Sequence, residues 1–159
     1  MASAPGVAII NNLKVDSEAV SSVTTTTTTA RQRPGAAILR RVNARLAAVD
    51  PQVALFASES AELEEAGASL ATELASVLRD ADGFTITVGG HTDSAGPAAY
   101  NEDLSRQRAD AFAAALADAE ISRSDLVSVG YGSRRPVDDN STAAGRARNR
   151  RITIDLAPK

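Results

Sequence analysis

The sequence predicts an α+β fold: a β-α-β-α-β-β mixed sheet with two main helices on one face, preceded by an N-terminal helix. Three observations carry this. Apolar residues recur at helical spacing in two long stretches, residues 63–78 and 97–119. Apolar and polar residues alternate at 84–88 and 152–156, the period of a half-buried strand. The stretches follow one another as strand, helix, strand, helix and strand, an order that favours parallel crossover connections.

The N-terminal part stands apart. Residues 7–15, Val-Ala-Ile-Ile-Asn-Asn-Leu-Lys-Val, read as one strand with no partner nearby, so 1–15 is expected to be the remnant of an upstream domain. Residues 16–34 read as a flexible Thr-rich linker, with six consecutive threonines at 24–29. A Thr run permits strand geometry but has no apolar alternation to set a register. Pro34 suits the first turn of a helix. The folded domain is expected over 35–159. Ile38, Leu39, Val42, Leu46 and Val49 make a helical stripe over 35–49, with Arg40, Arg41 and Arg45 on the other side.

Residues 53–56 are expected to form the first strand, with Ser58 or Ser60 capping the helix that follows. Leu63, Ala66, Leu70, Leu74, Val77 and Leu78 form that helix's buried stripe. Asp82-Gly83 breaks the chain before the strand of Phe84, Ile86 and Val88. A loop is read over Gly89-Gly90-His91-Thr92-Asp93. The next helix turns Leu104, Ala111, Phe112, Ala115 and Leu116 inward. A third strand covers 126–131. A long polar loop follows over 132–147, with a helical turn near Thr142. Ile152, Ile154 and Leu156 mark the last strand, antiparallel to its neighbour.

Composition narrows the function. The chain has 159 residues, enough for one domain and a tail. Aromatics are only 3%, so Phe56, Phe84 and Phe112 are the expected large anchors in a core of Val, Ile, Leu and Ala. A net charge of −3 disfavours nucleic acid and anionic membranes as partners. With no cysteine there is no disulfide, Cys-based metal site or thiol nucleophile. No apolar run approaches a membrane span, so no direct membrane insertion is expected. No signal peptide is visible at Met1. If the parent protein is exported, this sequence is expected to be a fragment of it.

The most informative stretch is His91-Thr92-Asp93-Ser94-Ala95-Gly96, followed by Tyr100-Asn101, Leu104-Ser105 and Arg108. Asn101, Ser105 and Arg108 fall on one face of a helix, near its start and so near Asp93. An acid and a base side by side suit a zwitterion, the acid taking an ammonium and the base a carboxylate. The end of an amino acid is such a ligand. The other reading is an internal Asp93–Arg108 salt bridge that pins the loop, in a structural or dimerising scaffold domain.

From about residue 53 to residue 156 the chain resembles the OmpA-like peptidoglycan-binding domains. The matching words are Gly90-His91-Thr92-Asp93-Ser94-x-Gly96, Tyr100-Asn101-x-x-Leu104-Ser105-x-x-Arg108-Ala109, Gly130-x-Gly132, Arg135-Pro136-Val137, Asn140-x-Thr142-x-x-Gly145-Arg146 and Asn149-Arg150-Arg151-Ile152. The resemblance implies a non-catalytic module of the cell envelope, on the periplasmic or cell-wall side of an outer membrane. Its partner would be peptidoglycan, gripped by the diaminopimelate of the stem peptide. Asp93 and Arg108 match the family's acid and arginine that hold the amino-acid end of diaminopimelate. Thr92, Asn101, Leu104, Asn149 and Arg150 match positions that line or shape the pocket. No cofactor is implied. The chain departs from the family at its first strand, with Leu55-Phe56-Ala57-Ser58-Glu59-Ser60 where many members read Phe-Asp-Phe. No site residue is carried over to that loop. A helix at 35–49 ahead of a strand resembles the mycobacterial branch, in which a BON-type domain can lie upstream.

Other signals have plainer readings. His91 is the only histidine, and without Cys or a second His it makes no metal site. A loop-positioning role is expected. Arg146, Arg148, Arg150 and Arg151 form a basic cluster without interleaved aromatics, read as carboxylate contacts and solvated surface rather than a nucleic-acid patch. Asp138, Asp139 and Asn140 lack the spacing of an EF-hand loop. Glu62, Glu64 and Glu65 suit a solvated helix start. A hydrolase would need an acid pair, a zinc site or an activated nucleophile. No base stands out beside Asp93, so the chain is not read as an enzyme.

Overall fold

The computed structural model describes residues 35–50 and 52–159. The expected strand at 7–15 and linker at 16–34 lie outside the described residues. The compact unit considered below is Ala37–Lys159.

Helix α1 covers residues 35–47. Ile38 and Val42 are buried, and Leu46 and Val49 pack against the same core. Arg41 and Arg45 reach Asp80 and Glu73, each at 3.2 Å. Such exposed pairs add little; the buried stripe is what holds α1.

The α+β class and the mixed sheet are as read, but among the described residues the sheet has three strands. Residues 53–56 contribute a single antiparallel bridge, Phe56 to Leu63. The bridge is flanked by Ala57 N–H donating to Glu62 O at 2.8 Å and Glu64 N–H donating to Leu55 O at 2.9 Å. The physical reason is in the sequence. Val53-Ala54-Leu55-Phe56 has no polar alternation to specify a register against a sheet, and the residues after it fold straight back. Neither serine caps the next helix. Ser60 Oγ accepts from Glu62 N–H at 2.9 Å, and helix α2 (Glu65–Leu78) starts after Glu64 with no side-chain cap. The buried side of α2 includes Leu70, Leu74, Val77 and Leu78, as the spacing predicts.

Strand β1 (Phe84–His91) is central. It runs parallel to β2 (Leu126–Gly132) and antiparallel to β3 (Ile152–Pro158). Ile86 lies between Leu126 and Leu156, and Val88 between Ser128 and Ile154. Ile86, Val88, Ile152 and Ile154 share one core with Leu74 of α2 and with Phe112 and Leu116 of helix α3 (Ala98–Asp118). The helices therefore cover one sheet face. Between α3 and β2 lies a 3-10 turn, Arg123–Asp125. The expected helical turn near Thr142 is a full helix, α4 (Ala143–Asn149), capped by Thr142 Oγ1 accepting from Gly145 N–H at 3.0 Å.

One reading is corrected. Gly89, Gly90 and His91 are not loop but the end of β1. The glycines serve packing rather than a turn. A Cβ on Gly90 would stand 2.0 Å from Ser105 O, and one on Gly130 would stand 2.6 Å from Arg106 N. The α3 backbone thus lies directly on the sheet at these two positions, where only glycine leaves room. Two bonds then fix the end of the strand. His91 N–H donates to Arg151 O at 3.0 Å, and Thr92 N–H donates to Gly132 O at 2.9 Å.

Side chains alternate across a strand, so His91 lies on the face opposite Gly90. It is buried there, stacked on Tyr131 with centroids 5.0 Å apart, and its Nε2 lies 3.1 Å from Thr153 Oγ1. Burial, reinforced by the charges of Arg151 and Arg135, pushes its pKa down to about 4. The folded protein therefore holds the ring neutral.

Two predictions follow from this packing. Gly90→Ala should destabilise the fold by about 2–3 kcal/mol or more, because backbone rather than a flexible side chain must move. An unchanged urea midpoint would show that α3 can lift from the sheet without cost. His91 should make stability pH-dependent. Between about pH 6.5 and 4 the unfolded chain binds a proton that the folded ring refuses, so stability falls as pH falls through this window. The loss should be on the order of 2–3 kcal/mol. Thermal midpoints of wild type and His91→Gln, followed from pH 7 to 4.5, should converge as the wild type loses its advantage. Parallel curves would show that the folded ring takes up its proton as readily as the unfolded one.

Candidate functional site

A pocket of about 650 Å³ opens at the end of β1. Its walls come from four places: residues 52–59, the end of β1 with the 92–97 loop, the first half of α3, and the junction of α4 with β3. Asp93, Arg108, Thr92, Asn101, Leu104 and Arg150 all line it. Folding thus gathers six of the seven residues read from the sequence.

Asp93 is held at both oxygens. Oδ1 accepts from Ala95 N–H at 2.9 Å, closing a tight local turn. Oδ2 is 2.7 Å from Nη1 of Arg150. The Asp93 side chain is 14% exposed and that of Arg150 46%. The internal Asp93–Arg108 salt bridge expected under the scaffold reading is not formed. The partner of Asp93 is Arg150.

Arg108 is engaged elsewhere. Its Nε donates to Ser60 O at 2.7 Å, and its guanidinium lies 5.3 Å from the centroid of the Phe56 ring. Burial lowers its pKa. Tyr100 and Asp93 act in the opposite sense, and the nearby charge of Arg150 adds to the lowering. An arginine stays cationic nonetheless. Among the described residues it has no carboxylate partner within 4.0 Å. Asp93, Arg150 and Arg108 therefore form one compensated ion pair and one half-desolvated cation anchored by a carbonyl and an aromatic face; Glu59 and Arg151 also line the pocket.

The remaining residues build the frame. Thr92 Oγ1 donates to Asp93 O at 2.9 Å. Asn101 Nδ2 donates to Ala95 O at 2.8 Å and to Asp93 O at 3.4 Å, tying the loop to α3. Ser105, fully buried, donates to Glu102 O and accepts from Gly132 N–H, so it spends its hydroxyl inside the fold. Asn149 does not line the pocket. It is fully buried, accepts from the N–H groups of Val137 and Asp138, and donates to Asp138 O and Asn140 Oδ1. It holds the 137–140 loop against α4 and so sets the position of its neighbour Arg150.

The basic cluster resolves into separate partnerships. Arg146 donates to Asn140 O, Arg148 pairs with Asp138, Arg150 pairs with Asp93, and Arg151 donates to the Asn149 and Arg135 carbonyls. Among the described residues, no three His, Cys, Asp or Glu side chains converge as metal ligands would.

The sequence carries no site residue over to the first loop, yet that loop forms a wall of the pocket. Phe56, Ser58 and Glu59 line the pocket and Ser60 supplies the carbonyl for Arg108. A backbone acceptor leaves no mark on the sequence, so nothing at Ser60 could have pointed to it. Tyr100, half exposed at the pocket, could have been found: it stands one residue before Asn101 in the matching motif.

Three relatives set this geometry in context. The chain is 42% identical over 108 residues to the probable lipoprotein YiaD of Escherichia coli, covering 68% of this chain and 49% of YiaD. It is 28% identical over 150 residues to the peptidoglycan-binding protein ArfA of Mycobacterium tuberculosis, covering 94% of this chain and 43% of ArfA. It thus spans about half or less of these curated relatives. The crystal structure of the peptidoglycan-associated lipoprotein of Burkholderia pseudomallei superimposes with a TM-score of 0.57 at 27% identity, covering 64% of this chain and 85% of that one. The OmpA family pattern matches residues 55–150, and the chain belongs to the OmpA family.

Proposed function

We propose that the pocket binds the diaminopimelate of the peptidoglycan stem peptide without covalent chemistry, holding an envelope protein to the wall. The single observation that carries this is the charge layout: Asp93 and Arg108, which has no carboxylate partner within 4.0 Å among the described residues, line one pocket. The side end of diaminopimelate bears an ammonium and a carboxylate on one carbon. Asp93 takes the ammonium. Arg108, preorganised by Ser60 O and Phe56, offers its remaining N–H groups to the carboxylate. Phe56, Leu104 and Tyr100 supply apolar wall for the methylene chain. A volume of about 650 Å³ suits a ligand larger than one amino-acid end, as a stem peptide is. The names of ArfA and of the Burkholderia lipoprotein, which refer to peptidoglycan, support the reading.

The reading is non-catalytic. Both oxygens of Asp93 are engaged, and His91 is held neutral with its Nε2 on Thr153. We place the protein in the cell envelope, in keeping with the lipoproteins it resembles.

Arg108→Ala should abolish cosedimentation with diaminopimelate-type sacculi, because losing a charge-assisted contact in a half-dry pocket costs on the order of 2–5 kcal/mol. Full cosedimentation of the folded variant would refute the role given to Arg108. Asp93→Asn separates binding from scaffolding. The substitution keeps size and one acceptor but loses the charge, and it removes an ion pair whose Arg150 side is half exposed. Affinity for meso-diaminopimelate should drop at least about tenfold while the thermal midpoint shifts only a few degrees. A large fall in midpoint with unchanged affinity would favour a scaffold instead.

A further inference from the structure

We propose that Arg150 is a selectivity residue that makes the pocket reject simple amines and accept zwitterions. The inference rests on the reading of Asp93 as the ammonium acceptor. The Arg150 guanidinium sits 2.7 Å from Asp93 Oδ2, and Ala95 N–H occupies Oδ1. An incoming ammonium must therefore compete with a cation that the fold already supplies.

The outcome depends on what else the ligand carries. A ligand with an ammonium alone exchanges one cation for another at Asp93 and leaves Arg150 without a carboxylate. No ion pair is gained. A zwitterion brings its own carboxylate, so Arg150 can surrender Asp93 and pair with the ligand instead. The geometry allows this exchange. Arg150 is the C-cap residue of α4, its side chain is 46% exposed, and it lines the same pocket as Arg108. The two guanidiniums are close enough for the charge of Arg150 to depress the pKa of Arg108. A carboxylate between them would relieve that repulsion. Such a carboxylate is what separates a diaminopimelate side chain from a lysine side chain, which ends in the ammonium alone.

Isothermal titration with two synthetic tetrapeptides, L-Ala–γ-D-Glu–X–D-Ala with X either meso-diaminopimelate or L-lysine, tests this in wild type and Arg150→Met. Wild type should prefer the diaminopimelate peptide. In Arg150→Met that preference should narrow by at least about tenfold, chiefly through tighter lysine-peptide binding to an Asp93 without a competitor. A smaller change in a folded variant would overturn the selectivity role, since loss of a merely structural contact weakens both peptides alike. A measurement on wild type stands if the variant does not fold. The Arg150 Nε resonance should shift on saturation with the diaminopimelate peptide, and an unmoved resonance overturns the exchange. Wild type that binds neither peptide overturns the diaminopimelate reading itself. Binding with an unchanged preference in the variant removes only the part assigned to Arg150.

Discussion

The contact on which the rest depends is the approach of the α3 backbone to the sheet at Gly90 and Gly130. It has no room for a methyl group, so it fixes helix and strands at one separation. That separation lets Ser105 bond to the N–H of Gly132 and Asn101 bond to the carbonyls of the Asp93 loop. The loop is then held from both sides, by β2 and β3 at its root and by α3 above it. Asp93 is thus placed by rigid neighbours, although the residue itself is in irregular chain. A pocket assembled this way has little conformational entropy left to lose.

The electrostatics are arranged with similar economy. Two of the pocket's arginines are positioned by different means: Arg108 by a carbonyl and an aromatic ring, Arg150 by an aspartate and by the Asn149 brace one residue earlier. Three elements distant in sequence thus converge on one small volume. Each contributes a charge whose orientation is set by contacts that need no ligand.

Much of this was legible in the chain, and the limits are physical. Long helical stripes and the alternation of Phe84, Ile86 and Val88 report burial, which side chains encode directly. Of the seven residues that the motif words imply for the pocket, six line it and Asn149 does not. Four features were not legible. Gly89 and Gly90 read as loop because glycine marks turns and close packing with the same letter. Residues 53–56 read as a strand because a short apolar run does not say which partner it pairs with. Only the scaffold reading pairs the acid with Arg108, because helical spacing puts that arginine near, whereas the geometry that brings Arg150 to Asp93 is set by the long connection through Asn149. The Ser60 contact is made by main chain and has no residue code.

That last contact has a consequence for how the domain can diverge. A carbonyl oxygen is the same atom whatever side chain it accompanies, so Arg108 stays anchored for any sequence that keeps the path of the first loop. Ser58 and Glu59 line the pocket on this same loop, and Glu59 adopts a left-handed conformation at φ 52° that Asn or Gly would reach more easily. The wall facing Asp93 is therefore free to drift while the arginine behind it stays put. Related chains, natural or designed, can change the shape of the pocket by rewriting one short loop without moving Asp93 or Arg108.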